Sequence, residues 1–248
     1  MQIQLIRNAT LKIQYGGHTL LIDPDLANKH AREPLAGIAN NPTAELPVPL
    51  EEVLEGIDAV LVSHLHQDHF DAVAQELLPK YLPLFCQPED QAKIASSGFR
   101  DVHPVVDALE WQSIKIIRTP AQHGTGVWAE RLAPVSGFVL QADSEPAVYW
   151  CGDTILYPAV NEVIENYSPE IIITHSGGAL IGDSGAIIMD IEQTMALAHE
   201  APDATIVAVH LEALDHCPVK RGDLSAAAQE AGIGGRIHIP DDGEVLRL

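Results

Sequence analysis

Apolar residues fall in short runs separated by polar, proline or glycine-rich turns along almost the whole chain. Three runs open it, at residues 2–6, 11–15 and 19–22, with Gly16-Gly17 between the second and third. Short runs bounded by turn residues predict strands, and the paired glycines predict a tight turn, so the chain should begin as a meander. The run at 58–62 and the Ile-rich run at 171–174 predict buried strands, and 114–119, 147–151 and 205–209 are also strand-like. Helices are predicted at 50–55, 70–78, 88–97 (stopped by Gly98), 157–166 (with Pro158 in its first turn), 191–200 and 224–231. The last of these has Asp223 as a candidate N-cap and Gly232 as its stop, and strands are predicted at 236–239 and 244–248. Alternating strands and helices imply an α/β layered fold, and the opening meander implies a mixed sheet rather than a doubly wound parallel one. Residues 25–49 break the rhythm, with Pro34, Pro42, Pro47 and Pro49 and no periodic pattern. Loops of that length inside a domain usually carry function, so this one should wall a site.

The strand at 58–62 runs into Ser63-His64-Leu65-His66-Gln67-Asp68-His69, which holds three imidazoles and a carboxylate in six residues. Unpaired polar groups gathered at a buried strand end are costly unless something binds them. Imidazole suits transition metals and carboxylate is a harder donor, so the set points to a transition-metal site with two ions. Three more candidates share the placement. His123 follows the run 114–119, Asp153 follows 147–151 within Gly152-Asp153-Thr154, and His210 closes 205–209. Groups at the ends of neighbouring strands can converge on one rim of a sheet.

His64-x-His66-x-Asp68-His69 resembles the signature of the metallo-β-lactamase-fold hydrolases. The opening hairpin through Ile22-Asp23-Pro24, and the later His123-Gly124-Thr125, Gly152-Asp153-Thr154 and His210, fall in that family's order, so the resemblance spans nearly the whole chain. It is strongest to the subgroup that includes ascorbate 6-phosphate lactonase and uncharacterised hydrolases. The resemblance implies a single domain over residues 1–248, folded as a four-layer αββα sandwich. It implies two divalent metal ions, zinc or manganese foremost with iron as a third choice. His64, His66 and His123 would hold the first, Asp68, His69 and His210 the second, and Asp153 would bridge them. A shared water activated there would attack a small ester-like substrate, a lactone or a phosphodiester. Asp68 would orient the nucleophile, and either His216, just past His210, or a metal-bound water would protonate the leaving group. Two other classes stay open: an iron-dependent oxidoreductase on the same fold, and a non-catalytic metal or metabolite sensor.

Composition narrows the partners. Lys plus Arg is 14 against 35 for Asp plus Glu, a formal net charge of -21. Nucleic-acid binding rests on Lys and Arg neutralising phosphates, so a nucleic-acid partner is not expected. A small substrate, even an anionic one, is still compatible, because screening confines the surface field to about 8 Å at physiological salt. No apolar run is long enough to span a bilayer and no cleavable leader is visible, so the expected location is the cytoplasm. An oligomer is compatible with the subgroup, but no stripe of residues demonstrates an interface. Cys86, Cys151 and Cys217 are scattered, and Cys151 reads as a small buried hydrophobe. Asp23, ending an apolar strand, is a candidate carboxylate partner for a metal-bound imidazole. His175, at the end of the run 171–174, should line the site. His30 in the long loop is a candidate for reaching substrate, and His199 should lie on the surface.

Overall fold

Two seven-stranded sheets carry the chain, and a computed structural model describes them with all residues from 1 to 248. The first contains β1 (Gln2–Arg7), β2 (Thr10–Tyr15), β3 (His18–Ile22), β4 (Ala59–Val62), β5 (Leu84–Cys86) and β6 (Val102–Pro104), hydrogen-bonded in that order. The second contains β7 (Ala108–Trp111), β8 (Ile114–Pro120), β9 (Ser136–Ala142), β10 (Val148–Trp150), β11 (Ile171–His175), β12 (Thr205–Val209) and β13 (Ile237–His238). A last strand, β14 (Val245–Arg247), returns to the first sheet and pairs antiparallel with β1.

Each sheet is antiparallel at its start and parallel at its end. β1 to β3 form the expected meander, whereas β3 to β6 pair in parallel. Likewise β7 to β10 are antiparallel and β10 to β13 parallel. Parallel neighbours need a crossover. The helices α1 (Leu50–Leu54), α2 (Ala72–Leu77) and α3 (Gln91–Ser96) lie in the crossovers of the first sheet. A short α4 (Val127–Leu132) follows β8, and α5 (Pro158–Tyr167), α6 (Ile191–Glu200) and α7 (Arg221–Glu230) lie in the crossovers of the second.

Side-chain alternation divides the core into layers. Along β4, Ala59 and Leu61 join a cluster of 22 buried residues between the sheets. Val60 and Val62 face outward with Val53, Ala74 and Ile94 of the first three helices. Along β11, Ile171 and Ile173 point between the sheets. Ile172 points out to Val160, Leu197 and Ala228 of α5 to α7. Strands buried on both faces read as continuous apolar runs. The order helix, sheet, sheet, helix is the expected αββα sandwich.

Several elements differ from the sequence pattern. β5, β6 and β7 are three or four residues long, and β6 includes Pro104, so none carries enough pattern to be recognised. β9, seven residues starting at Ser136-Gly137, and the short α4 are also unanticipated. The predicted helix 88–97 opens as a 3-10 turn over Pro88–Asp90 before α3 begins. Asp223 is not an N-cap: α7 starts at Arg221, which leaves Asp223 in its first turn, where a carboxylate favours the helix dipole. The true side-chain caps are Asp71, accepting from Ala74 N at 2.7 Å, and Asp190, accepting from Gln193 N at 2.9 Å.

Candidate metal centre

The register of β3 against β4 starts the site. Leu20, Leu21 and Ile22 pair with Ala59, Val60 and Leu61, so Asp23 and Ser63 leave adjacent strand ends side by side. Asp23 is fully buried, and both of its oxygens are engaged. Oδ1 accepts from Ser63 N at 2.7 Å. Oδ2 accepts from Ser63 Oγ at 2.6 Å and from His69 Nδ1 at 2.9 Å. Since the Ser63 hydroxyl donates to the carboxylate, it accepts from His64 Nδ1 at 2.9 Å. One carboxylate therefore places the protons of two imidazoles on Nδ1 and leaves each Nε2 as a lone pair aimed inward. His123 is fixed in the same sense, because its Nδ1 donates to the Ile187 carbonyl at 2.8 Å.

Those lone pairs converge on a carboxylate. Asp153 Oδ2 is 3.2 Å from both His69 Nε2 and His123 Nε2, and 3.8 Å from His64 Nε2. His64 Nε2 and His66 Nδ1 face each other at 2.9 Å. Asp68 Oδ2 lies 3.4 Å from His69 Nε2 and 3.2 Å from His210 Nε2. His69 Nε2 has no hydrogen-bond partner although it is buried. Lone pairs of nitrogen and carboxylate oxygen held this close repel unless a proton or a metal ion lies between them, as a proton does where His210 Nε2 hydrogen-bonds Asp68 Oδ2. Two donor groups could each hold a metal ion: His64, His66, His123 and Asp153, and His69, Asp153, His175 and His210. Within each group the donor atoms lie within 4.8 Å of one another.

Charge follows from this crowding. Burial works against a charged Asp153, but His69, His123 and His210 outweigh it and hold the carboxyl well below its usual range. Asp68 behaves likewise beside His69 and His210. Burial also opposes charge on His69 and His210, yet Asp153 and Asp68 push both imidazoles well above their ordinary value. His64 goes the other way, lowered by burial and by its imidazole neighbours. Without a cation the cluster thus collects protons on His69 and His210, and a bound metal would take their place.

Close backbone approaches keep the strand ends converged. Gly152, at φ +66°, packs where a Cβ would strike the Ser136 carbonyl, and Gly177 packs where one would strike the His210 carbonyl. His175 is buried, with Nδ1 at 2.6 Å from Asp153 Oδ1, and burial pushes its imidazole down to about 4. It does not line the cavity, as expected of it, but is a buried member of the cluster itself.

A cavity of about 260 Å³ opens over the cluster. Asp68, His66, His123, Asp153 and His216 form its floor and side. Arg32, Glu33, Leu35 and Asn41 contribute the wall expected of the 25–49 loop. His216 is buried, its Nδ1 has no hydrogen-bond partner, and burial lowers its pKa. His30 is exposed and does not line the cavity, so its expected reach to substrate is not met. His199 is exposed on α6, as anticipated. Cys151 packs with the outward-facing core of the second sheet, as expected of a small buried hydrophobe.

Four contributors have no signature in the sequence pattern. Ser63 relays Asp23 to His64, the Ile187 carbonyl orients His123, and Cys217 Sγ sits 3.5 Å from His210 Nδ1. The fourth, Arg32, is clamped to Asp25 by two bonds of 2.7 Å. A serine directly before the first histidine and a cysteine seven residues after the last were the only visible hints.

Residues 18–211 match the family model of the β-lactamase superfamily domain. The chain belongs to that superfamily. Within it, the UPF0173 protein YddR of Bacillus subtilis (strain 168) is 37% identical over 98% of each chain. The solved structure of a possible metal-dependent hydrolase from Veillonella parvula DSM 2008 superposes with a TM-score of 0.97, at 33% identity over 100% of this chain and 99% of that one. An isothiocyanate hydrolase from Delia radicum gut bacteria superposes at 0.95, with 36% identity and the same coverage. The superfamily assignment accounts for the metallo-β-lactamase fold. The UPF0173 relatives include proteins described as metal-dependent hydrolases. No helix is long and apolar enough to cross a membrane.

Proposed function

We propose that this superfamily member is a dinuclear metal-dependent hydrolase of small, neutral, partly apolar electrophiles, with isothiocyanates as the leading substrate class. The observation that carries the substrate class is the cavity wall. Leu35, Leu132, Ile181, Ile187 and Leu214 supply apolar surface beside the cluster. The only lysine or arginine there is Arg32, and its guanidinium is already committed to Asp25 in a bidentate pair. A phosphodiester would meet no free cationic side chain in that wall. A neutral heterocumulene suits the wall, and the likeness to an isothiocyanate hydrolase at 36% identity over the full chain supports the choice. A lactone is also neutral and ranks second.

His64, His66 and His123 would hold one metal, Asp68, His69 and His210 the other, with Asp153 shared. Zinc or manganese suits this imidazole-rich set. Bound there, the metals supply Lewis acidity and lower the pKa of water from about 15.7 towards 7. The chain's own groups do the rest. Asp68 lines the cavity and, with only one of its oxygens on a metal, would orient the water by accepting a hydrogen bond from it. His216, kept uncharged at neutral pH by burial, relays a proton to the departing nitrogen. The apolar wall holds the substrate's organic group and excludes competing water. Water's oxygen bonds to the central carbon, nitrogen gains two protons, and the carbon–nitrogen bond breaks. An amine and carbonyl sulfide leave, so the atoms balance.

The test is turnover of benzyl isothiocyanate, a sugar lactone and bis-p-nitrophenyl phosphate by zinc- or manganese-loaded protein, before and after chelation. Release of amine that stops on chelation and returns with metal is expected. Preferred cleavage of the phosphodiester would overturn the proposal.

A further inference from the structure

Asp153 uses its two oxygens differently. Oδ2 faces both donor groups, 3.2 Å from His123 on one side and 3.2 Å from His69 on the other. Oδ1 takes a 2.6 Å bond from His175 Nδ1 and lies 3.8 Å from His210 Nε2. A carboxylate oxygen only accepts, so Nδ1 carries the proton. A nitrogen that donates to Asp153 has no lone pair left for a metal, so His175 is not a ligand through that atom. Its other nitrogen, Nε2, is buried without any hydrogen-bond partner. The ring is held from several sides: edge-on to Trp150 with centroids 4.6 Å apart, and beside His210 at 5.2 Å and His69 at 5.5 Å. Its backbone is the last residue of β11, paired with Val209 of β12. The imidazole therefore has one fixed orientation, and its one polar contact is the shared carboxylate.

We infer that His175 is a positioning residue that holds Oδ1 of Asp153 and so fixes Oδ2 between the two donor groups. This rests on the dinuclear reading above, and it reaches both metals through one side chain. Loss of the donor frees the carboxylate to rotate, which loosens the oxygen that both donor groups share. Second-sphere partners of this kind typically change metal affinity about 10- to 100-fold.

The experiment compares zinc binding by chelator competition in the wild-type protein, His175→Phe and His175→Asn. Phenylalanine keeps the ring against Trp150 but cannot donate. Asparagine places an N–H at the same branch of the side chain and gives up the ring. Both zinc ions should weaken together in His175→Phe, by about 10- to 100-fold. His175→Asn should recover most of the affinity of both ions while melting lower because of its cavity. Selective loss of one zinc in both variants would make His175 an ordinary ligand and overturn the inference. So would unchanged affinity in His175→Phe, which leaves only a packing role. Fewer than two zinc ions on the wild-type protein would instead overturn the dinuclear reading itself.

Discussion

Asp23→Asn is a nearly isosteric change at a fully buried position, and its cost can be reasoned through atom by atom. Three donors converge on the native carboxylate: Ser63 N, Ser63 Oγ and His69 Nδ1, at 2.7, 2.6 and 2.9 Å. An amide offers one acceptor oxygen and one NH2. If the NH2 takes the Oδ1 position it confronts the Ser63 amide, which has no alternative partner. If it takes the Oδ2 position it confronts the Ser63 hydroxyl and His69 Nδ1. The hydroxyl can rotate, but His69 must then carry its proton on Nε2, 3.2 Å from Asp153. Either way at least one buried donor is orphaned or one inward lone pair is lost. An unsatisfied buried donor costs about 1–3 kcal/mol. For a chain of this size that lowers Tm by roughly 2–12 °C. The second orientation also blocks a metal-facing nitrogen, so zinc affinity should fall about 10- to 100-fold. Thermal unfolding of the metal-free protein and zinc binding by chelator competition measure the two effects separately. Zinc affinity within twofold of wild type would refute the claim that Asp23 sets the imidazole protons.

Two further predictions concern the cavity. If His216 relays the proton as proposed, His216→Gln should lower the turnover number about 10²- to 10⁴-fold without lowering the metal content found by elemental analysis, because His216 is in neither donor group. Asp215 ties down the 25–49 loop: its carboxylate accepts from the amides of Leu35, Ala36 and Ile38 and from Asn41 Nδ2, at 2.8 to 3.1 Å. Burial opposes its charge, but Asn41 and those amides outweigh burial and lower its pKa. The stabilisation is therefore present above the unfolded value of about 3.9 and is lost as pH falls through the lower folded value. Asp215→Asn should destabilise at neutral pH and speed amide exchange at those three residues. Its deficit in denaturant unfolding should shrink towards zero on acidification, and a pH-independent deficit would contradict the assignment.

What the sequence revealed depended on local density of signal. His64, His66, Asp68 and His69 announce themselves because four donors crowd one strand end. His123, Asp153 and His210 needed both the strand pattern and the family order. The buried strand β4 and the stretches 171–173 of β11 and 206–209 of β12 are uninterrupted apolar runs and are legible alone. β5 to β7 are not, because their strand character comes from neighbours across the sheet rather than from their own few residues. The site shows the same divide. Asp23 was readable from its place at a strand end. The hydroxyl of Ser63, the carbonyl of Ile187 and the thiol of Cys217 act through spatial proximity, which leaves almost no trace in composition or spacing. His175 was placed at the site by its strand end, but its grip on one particular oxygen is a fact of geometry.

The pairing of β3 with β4 carries a consequence beyond architecture. Asp23 meets Ser63 only because Ile22 sits opposite Leu61. A slip of one residue along that ladder would turn the carboxylate to the opposite face of the sheet. The imidazoles would then be free to exchange tautomers. Proton positions at the centre are thus specified by the alignment of two neighbouring strands, through apolar side chains that belong to neither donor group. Overpacking Leu21 or Val60 could detune the centre chemically while every donor atom keeps its identity.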